Sequence, residues 1–460
     1  MHNDLTGSGE ARAPSRPDAR LARFAWLLIL ALGGLLAASP ATAQGTDAPP
    51  EGNSFVIRDV RVFDGGRAIE RANVVVRDGR VASVGRRRPP AGLPVVDGAG
   101  RTLLPGLIDA HAHVQNATSL QNAARFGVTT ALDMLTRVEV VRAHRGQRDR
   151  LDRTALADLW SSGTPATSPR GLGTQFGIPF LPISGAEEAG AFVRARIAEG
   201  SDYIKILYEP SVPFFTTISP ETLRALIVAA HAEGVRAVVH VSSLEGARGA
   251  VAAGADGLAH VFSDAVIDDA LARDMASRGM FVTSTLSIIA AFHGEGLGAA
   301  LAADPRVSPW LTDAQRRGLM SPAPGPDYPL TPYLTRFDLA RASENIRRLH
   351  AAGVRILAGT DAPNLGSHGI TLHGELQLLT QAGLSPAEAL RAATLGPAQV
   401  YGLDDRGRIA AGARADLVLV EGNPLRDIGS TRAIVRVFKN GFAVERAAPA
   451  APPASPAAAN

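Results

Sequence analysis

Five side chains of metal-ligating type stand at or just beyond the ends of short apolar runs in this 460-residue sequence: His111, His113, His240, His260 and Asp361. His111 and His113 lie in Leu-Ile-Asp-Ala-His-Ala-His-Val. On a strand, residues i and i+2 share a face, so both imidazoles can converge on one ion. An isolated His-x-His is weak evidence, and its weight comes from the company it keeps. His240 ends Ala-Val-Val-His, His260 ends Gly-Leu-Ala-His, and Asp361 ends Ile-Leu-Ala-Gly-Thr-Asp. A divalent cation would partner all of these polar groups at once.

Lys205 is the sixth candidate. It sits between two isoleucines in Asp-Tyr-Ile-Lys-Ile-Leu-Tyr, and only Lys205 and Lys439 among the 47 basic residues are lysines. Arg stays protonated, whereas a desolvated Lys can be neutral. A neutral amine can take up CO2 as a carbamate, an anionic oxygen ligand able to bridge two ions. The plainer reading is a lysine that pairs with a carboxylate.

The elements that must position these groups are short β-branched runs alternating with helical stretches. Strands are expected at 127–134, 203–207, 237–241, 257–261, 281–285 and 355–361, with helices near 185–200, 219–233, 335–352 and 384–394. Repeated βα units over about 290 residues imply a parallel barrel or a doubly wound sheet, and periodicity does not separate them. A barrel places its active site at the C-terminal ends of its strands, where the five His and Asp candidates fall, while Lys205 lies inside its strand. Residues 54–105 and 399–446 instead carry short β runs, with turns at Asp78-Gly79 and Asn440-Gly441, and can pair into one small sheet domain. Residues 288–334, rich in Pro and Gly and carrying His293, Trp310, Tyr328 and Tyr333, read as a lid loop.

Composition sets the outer bounds. The absence of Cys excludes disulfides, thiolate metal sites and a Cys nucleophile. A net charge of +3 without a long basic run gives no nucleic-acid footprint; Arg86-Arg87-Arg88 beside Pro89-Pro90 reads as a solvated loop. Arg12, Arg16, Arg20 and Arg23 precede the apolar run 24–38, and Ala41 and Ala43 follow it. That is the pattern of a secretory signal over 1–43, cut after Ala43. The run is shorter than the ~20 residues of a spanning helix, so no stable membrane anchor is expected after cleavage. The mature protein is expected in the periplasm or outside the cell, with a linker at 44–53 and a disordered Ala/Pro-rich tail at 447–460.

The motifs taken in order resemble the metal-dependent amidohydrolase superfamily, in its imidazolonepropionase-like and Xaa-Pro dipeptidase-like branch. They are Leu104-Pro-Gly-Leu-Ile-Asp-Ala-His-Ala-His, Gly127-Val-Thr-Thr-Ala-Leu-Asp-Met, Tyr203-Ile-Lys-Ile, Gly359-Thr-Asp-Ala, His368-Gly-Ile-Thr-Leu-His-Gly-Glu-Leu, Ala389-Leu-Arg-Ala-Ala-Thr and Gly407-Arg-Ile-Ala-Ala-Gly-Ala-Arg-Ala-Asp. The resemblance covers residues 54–446. It implies an α/β fold, a (β/α)8 barrel over 106–398 with a small β-sandwich formed by 54–105 and 399–446. By the same resemblance, His111, His113, Lys205, His240, His260 and Asp361 hold one or two divalent ions, zinc first among them, with Lys205 carboxylated.

The activity implied is hydrolysis of an amide or peptide C–N bond by a metal-activated hydroxide, with Asp361 as general acid and base. A dipeptide, an N-acyl amino acid or a cyclic amide would be the small-molecule substrate. His368 is expected near the substrate, and Tyr208 is a candidate donor to a tetrahedral oxyanion. Self-association into a homo-oligomer is left open. The competing readings are a lactonase or esterase using the same metal centre, a non-catalytic binding protein on the same fold, and a periplasmic solute-binding protein.

Overall fold

The computed structural model describes residues 51–176 and 181–447. The signal sequence at 1–43, most of the 44–53 linker and all but the first residue of the 447–460 tail lie outside the described residues. Among those described, no helix is long and apolar enough to cross a membrane.

The chain opens with β1 (Phe55–Phe63), β2 (Ala68–Arg77), β3 (Arg80–Gly85), β4 (Val95–Asp97) and β5 (Arg101–Pro105). Eight short strands follow: β6 (Leu107–Ala112), β7 (Val128–Asp133), β8 (Asp158–Ser161), β9 (Ile204–Leu207), β10 (Ala237–His240), β11 (Gly257–Ala259), β12 (Phe281–Thr283) and β13 (Arg355–Leu357). It closes with β14 (Leu417–Glu421), β15 (Ile434–Lys439) and β16 (Phe442–Ala443). The two flanking segments meet in one eight-stranded sheet, ordered β16-β15-β14-β5-β1-β2-β3, with β4 alongside β1. They also share one apolar cluster, in which the rings of Phe55 and Phe438 stack with centroids 4.6 Å apart.

The inner strands run parallel in two sheets, β6-β7-β8 and β9 through β13. Isolated parallel bridges link their edges: Ala112 pairs with Ala362 beyond β13, and Ala166 beyond β8 pairs with Ile206 of β9. Parallel strands covered by helices are buried on both faces and read as nearly continuous apolar runs. All of β9 is buried, with Ile204 and Ile206 in the core beneath the helices and Tyr203 in a separate inner cluster with Val238 and Phe281.

Between the strands come α1 (Ala117–Arg125), α2 (Val138–His144), α3 (Ala189–Glu199), α4 (Pro220–Ala232), α5 (Leu244–Ala253) and α6 (Asp269–Ser277). Their limits follow from local chemistry. Ser219 caps α4 ahead of Pro220, Ser243 caps α5, and α5 ends at Gly254 in the left-handed region.

Residues 288–334 are not the irregular loop expected from their Pro and Gly content. They fold into α7 (Leu286–Phe292), α8 (Gly298–Ala303), α9 (Asp313–Leu319) and α10 (Thr331–Leu334). Pro332 stands in the first turn of α10, where a missing N–H costs nothing, and Thr312 with Gln315 forms a capping box for α9. Next is α11 (Leu339–Ala351), which buries Ala342, Asn345, Ile346 and Leu349, the spacing of one helix face. Then come α12 (Ile370–Gln381), α13 (Pro386–Ala392) and α14 (Leu395–Tyr401).

Candidate metal centre

The strands bring the six candidates together. His111 lies within β6, His113 follows it, Lys205 lies in β9, His240 ends β10, His260 follows β11, and Asp361 stands beyond β13. All six line one cavity of about 410 Å³. The ring centroids of His111 and His260 are 4.4 Å apart, and those of His240 and His260 4.7 Å. An Asp361 oxygen lies 3.1 Å from His111 Nε2 and 2.8 Å from His113 Nε2. One donor atom each from His111, His260 and Asp361 falls within a 4.8 Å cluster.

Three backbone features make this convergence possible. Gly359 passes so close to β6 that a Cβ there would stand 2.6 Å from His111 Cβ. That approach lets the N–H groups of Thr360 and Asp361 donate to the His111 carbonyl at 3.0 and 2.8 Å. Strand alternation would send His260 to the helix side, with Leu258. Its left-handed backbone (φ 76°) breaks the alternation, and Asp361 is left-handed too (φ 61°). Non-glycine residues in that region cost free energy and concentrate at functional sites.

The donor chemistry fits a divalent cation. His111 is fully buried; its Nδ1 has no hydrogen-bond partner, and its Nε2 meets only the Asp361 carboxylate at 3.1 Å. Burial, then the neighbouring Lys205, pushes it down to about 3; burial, then His111 and His240, holds His260 well below its usual value. Both imidazoles are therefore neutral at pH 7, with lone pairs to donate. Burial would raise the Asp361 carboxyl, but His113 and His111 outweigh it and keep it ionised. Burial lowers Lys205 to about 7 against the pull of Asp361 and Asp133, and among the described residues its amine makes no hydrogen bond or ion pair. Lys439 is the contrast: it is buried between Asp158 and Asp416 at 2.9 and 3.0 Å.

Two further contacts aim the rings. His113 Nδ1 faces the Leu135 carbonyl at 3.4 Å, and His260 Nδ1 lies 2.9 Å from the Thr285 hydroxyl. Such outer partners orient a ligating histidine and set its tautomer.

Residues 102–444 match the model of the amidohydrolase family. The chain belongs to that family. Among relatives of this amidohydrolase is an ochratoxinase of Aspergillus niger, 26% identical over 57% of this chain; the match spans only 50% of the ochratoxinase. An imidazolonepropionase of Deinococcus radiodurans is 26% identical, covering 81% of this chain and 92% of its own. A solved structure assigned provisionally as a prolidase, from Bifidobacterium longum, is 26% identical with a TM-score of 0.70, covering 88% of this chain and 97% of that one.

Two expected site residues of the amidohydrolase fall elsewhere. The Tyr208 phenol lies against Gly249 of α5, on the helix side, because residue 208 alternates away from Lys205 and Leu207. His368 is buried and does not line the cavity; burial, then the neighbouring His113, lowers it to about 4.

Other residues do reach the centre. Glu209 is buried with a carboxylate oxygen 2.7 Å from His240 Nε2, and it accepts from Ser242 at 2.6 Å. Tyr333 of α10 donates to Glu209 at 3.0 Å and lies 3.2 Å from His240 Nε2. Glu209 follows the end of β9 by two residues, as Asp361 follows the end of β13 by four, so a polar residue just past an apolar strand was the signal that could have found it. Tyr333 and Thr285 carry no such mark, since their place depends on how distant segments pack.

Proposed function

We propose that the chain is an exported, metal-dependent amidohydrolase that cleaves a carbon–nitrogen bond of a small amide-type substrate. The observation that carries this reading is the fully buried His111, whose Nδ1 has no hydrogen-bond partner and whose Nε2 meets only the Asp361 carboxylate at 3.1 Å, with the His113 and His260 rings beside it. A buried polar group without a partner is expensive, and a divalent cation supplies one.

In this reading His111, His113, His240, His260 and Asp361, with Lys205 as a carboxylated bridge, hold one or two divalent ions. The nitrogen and oxygen donor set suits zinc. When bound, such an ion acidifies water and polarises a carbonyl. With Lys205 near 7, a large share of its amine is unprotonated at neutral pH; nitrogen bonds to the carbon of CO2, and one proton leaves to solvent. Asp361 is ionised and accepts a proton at its carboxylate oxygen as water attacks, then returns it to the leaving amine. The helices of 288–334 form a lid that excludes water.

The same reading closes the eight parallel strands into a (β/α)8 barrel over 106–398 and treats 54–105 with 399–446 as a β-sandwich. The Ala112–Ala362 and Ala166–Ile206 bridges support it. The names of the imidazolonepropionase and prolidase relatives support the substrate class. The leader at 1–43 supports export. The test is an amide panel assayed with the metal-loaded protein and with its Asp361→Asn variant: hydrolysis lost in the variant upholds the reading, and an inert parent sinks it.

A further inference from the structure

The walls of the cavity above the metal centre narrow the substrate. Its six charged or titratable lining groups of Lys, His and Asp type are the metal-centre candidates themselves. Twelve of the other lining side chains are apolar, among them Ile288, Ile289 and Phe292 of α7 and Leu330, Leu334 and Phe337 around α10. Of the four remaining polar ones, Gln175 and Tyr328 keep a donor free among the described residues and the other two are engaged. Asn364 donates to Asp361 at 3.0 Å, and the Tyr333 hydroxyl donates to Glu209. Among the described residues, no arginine lines the cavity.

Outside the metal centre, a free carboxylate or ammonium placed among these walls would lose its hydration and gain no counter-ion, with only the neutral Gln175 amide and Tyr328 hydroxyl to meet it, which is strongly unfavourable. A cavity of this size holds an aromatic ring or a branched aliphatic group with room to spare. A second, more polar cavity shares His113, Leu135 and Asn364 with the first and is lined by Gln115, Asn116, Thr136 and the exposed Arg137. Charge on the substrate therefore has somewhere to go, but only on the far side of His113.

We infer that the substrate is an amide with one bulky, uncharged, apolar half, which fills the cavity beneath α7 and α10, and that charge is admitted only on its other half. This rests on the hydrolytic reading of the centre and deepens it: dipeptides bearing charge at both ends are excluded, whereas N-acyl amino acids and neutral amides with a large apolar group are accepted.

Two matched pairs of compounds test it by calorimetric titration of the purified protein, followed by assay of the same four compounds. 3-Phenylpropanoylglycine and phenylalanylglycine differ by one ammonium on the acyl half. N-acetylphenethylamine and N-acetylphenylalanine differ by one carboxylate on the amine half. The expected result is tighter binding of the less charged member, by about tenfold or more, in at least one pair, whichever way round the amide sits. A smaller preference in both pairs, or tighter binding of the more charged members, overturns the inference. If the binding preference holds but no compound is hydrolysed, the apolar, charge-excluding character of the cavity stands and the hydrolytic reading, with the assignment of an amide substrate, fails. Hydrolysis of all four at similar rates without preference does the reverse.

Discussion

His260 and Thr285 are joined by a 2.9 Å contact from imidazole Nδ1 to hydroxyl, and both residues hold left-handed backbones, at φ 76° and 46°. A β-branched residue in that region is strained, so the fold sustains a cost to keep this hydroxyl behind this ring. The contact leaves His260 Nε2 as the free donor. Thr285→Val keeps the shape and removes the hydrogen bond. Metal affinity, measured by competition with a chromogenic chelator, should fall about 10–100-fold. Unchanged affinity would separate Thr285 from the centre.

Asp361→Asn removes the proton acceptor while keeping an oxygen that can ligate. Turnover of any amide substrate should fall by about 10²–10⁴-fold, with the bound metal largely retained. A variant with near-parental kcat would assign the proton to another group.

Tyr333 ties α10 to His240 through Glu209. Tyr333→Phe breaks that tie and leaves the cavity wall apolar. The expected effect is a rise in KM greater than the fall in kcat, with kcat/KM down by about tenfold, the worth of a single hydrogen bond. Equal kinetics in variant and parent would show that α10 closes without it.

His373 is buried between the Phe126 carbonyl and the Thr431 hydroxyl, at 2.9 and 3.0 Å, and burial lowers it to about 4. Between pH 6.5 and about 4 the unfolded chain takes up this proton and the folded chain does not. Stability therefore falls as pH drops through that window, by about 3 kcal/mol for this residue. His373→Gln, which can keep both contacts, should flatten that part of the curve in denaturant titrations. A curve with the parental slope would contradict the assignment.

What could be read from residue types was set by burial. A strand such as Ile204–Leu207, apolar on both faces, makes its lone Lys205 conspicuous, and polar residues at the ends of such strands stand out for the same reason. Alternation then located some side chains and mislocated others. It places Tyr208 on the helix side, where the structure has it, but it would have turned His260 away from the cavity. Only the left-handed backbone brings that ring in, and no local pattern announces it. The helices of 288–334 were masked by proline, which marks a loop and the first turn of a helix equally well. Glu209, Thr285 and Tyr333 enter the site through contacts between segments far apart in the chain, as the 124 residues between Glu209 and Tyr333 illustrate.

Whether these six side chains hold a metal through Lys205 is measured most directly by the metal content of the purified protein beside that of Lys205→Ala. The expected result is about two equivalents of a divalent metal in the parent, as in two-metal hydrolytic sites, falling to about one or fewer in the variant. No metal in either protein after supplementation with zinc would contradict it.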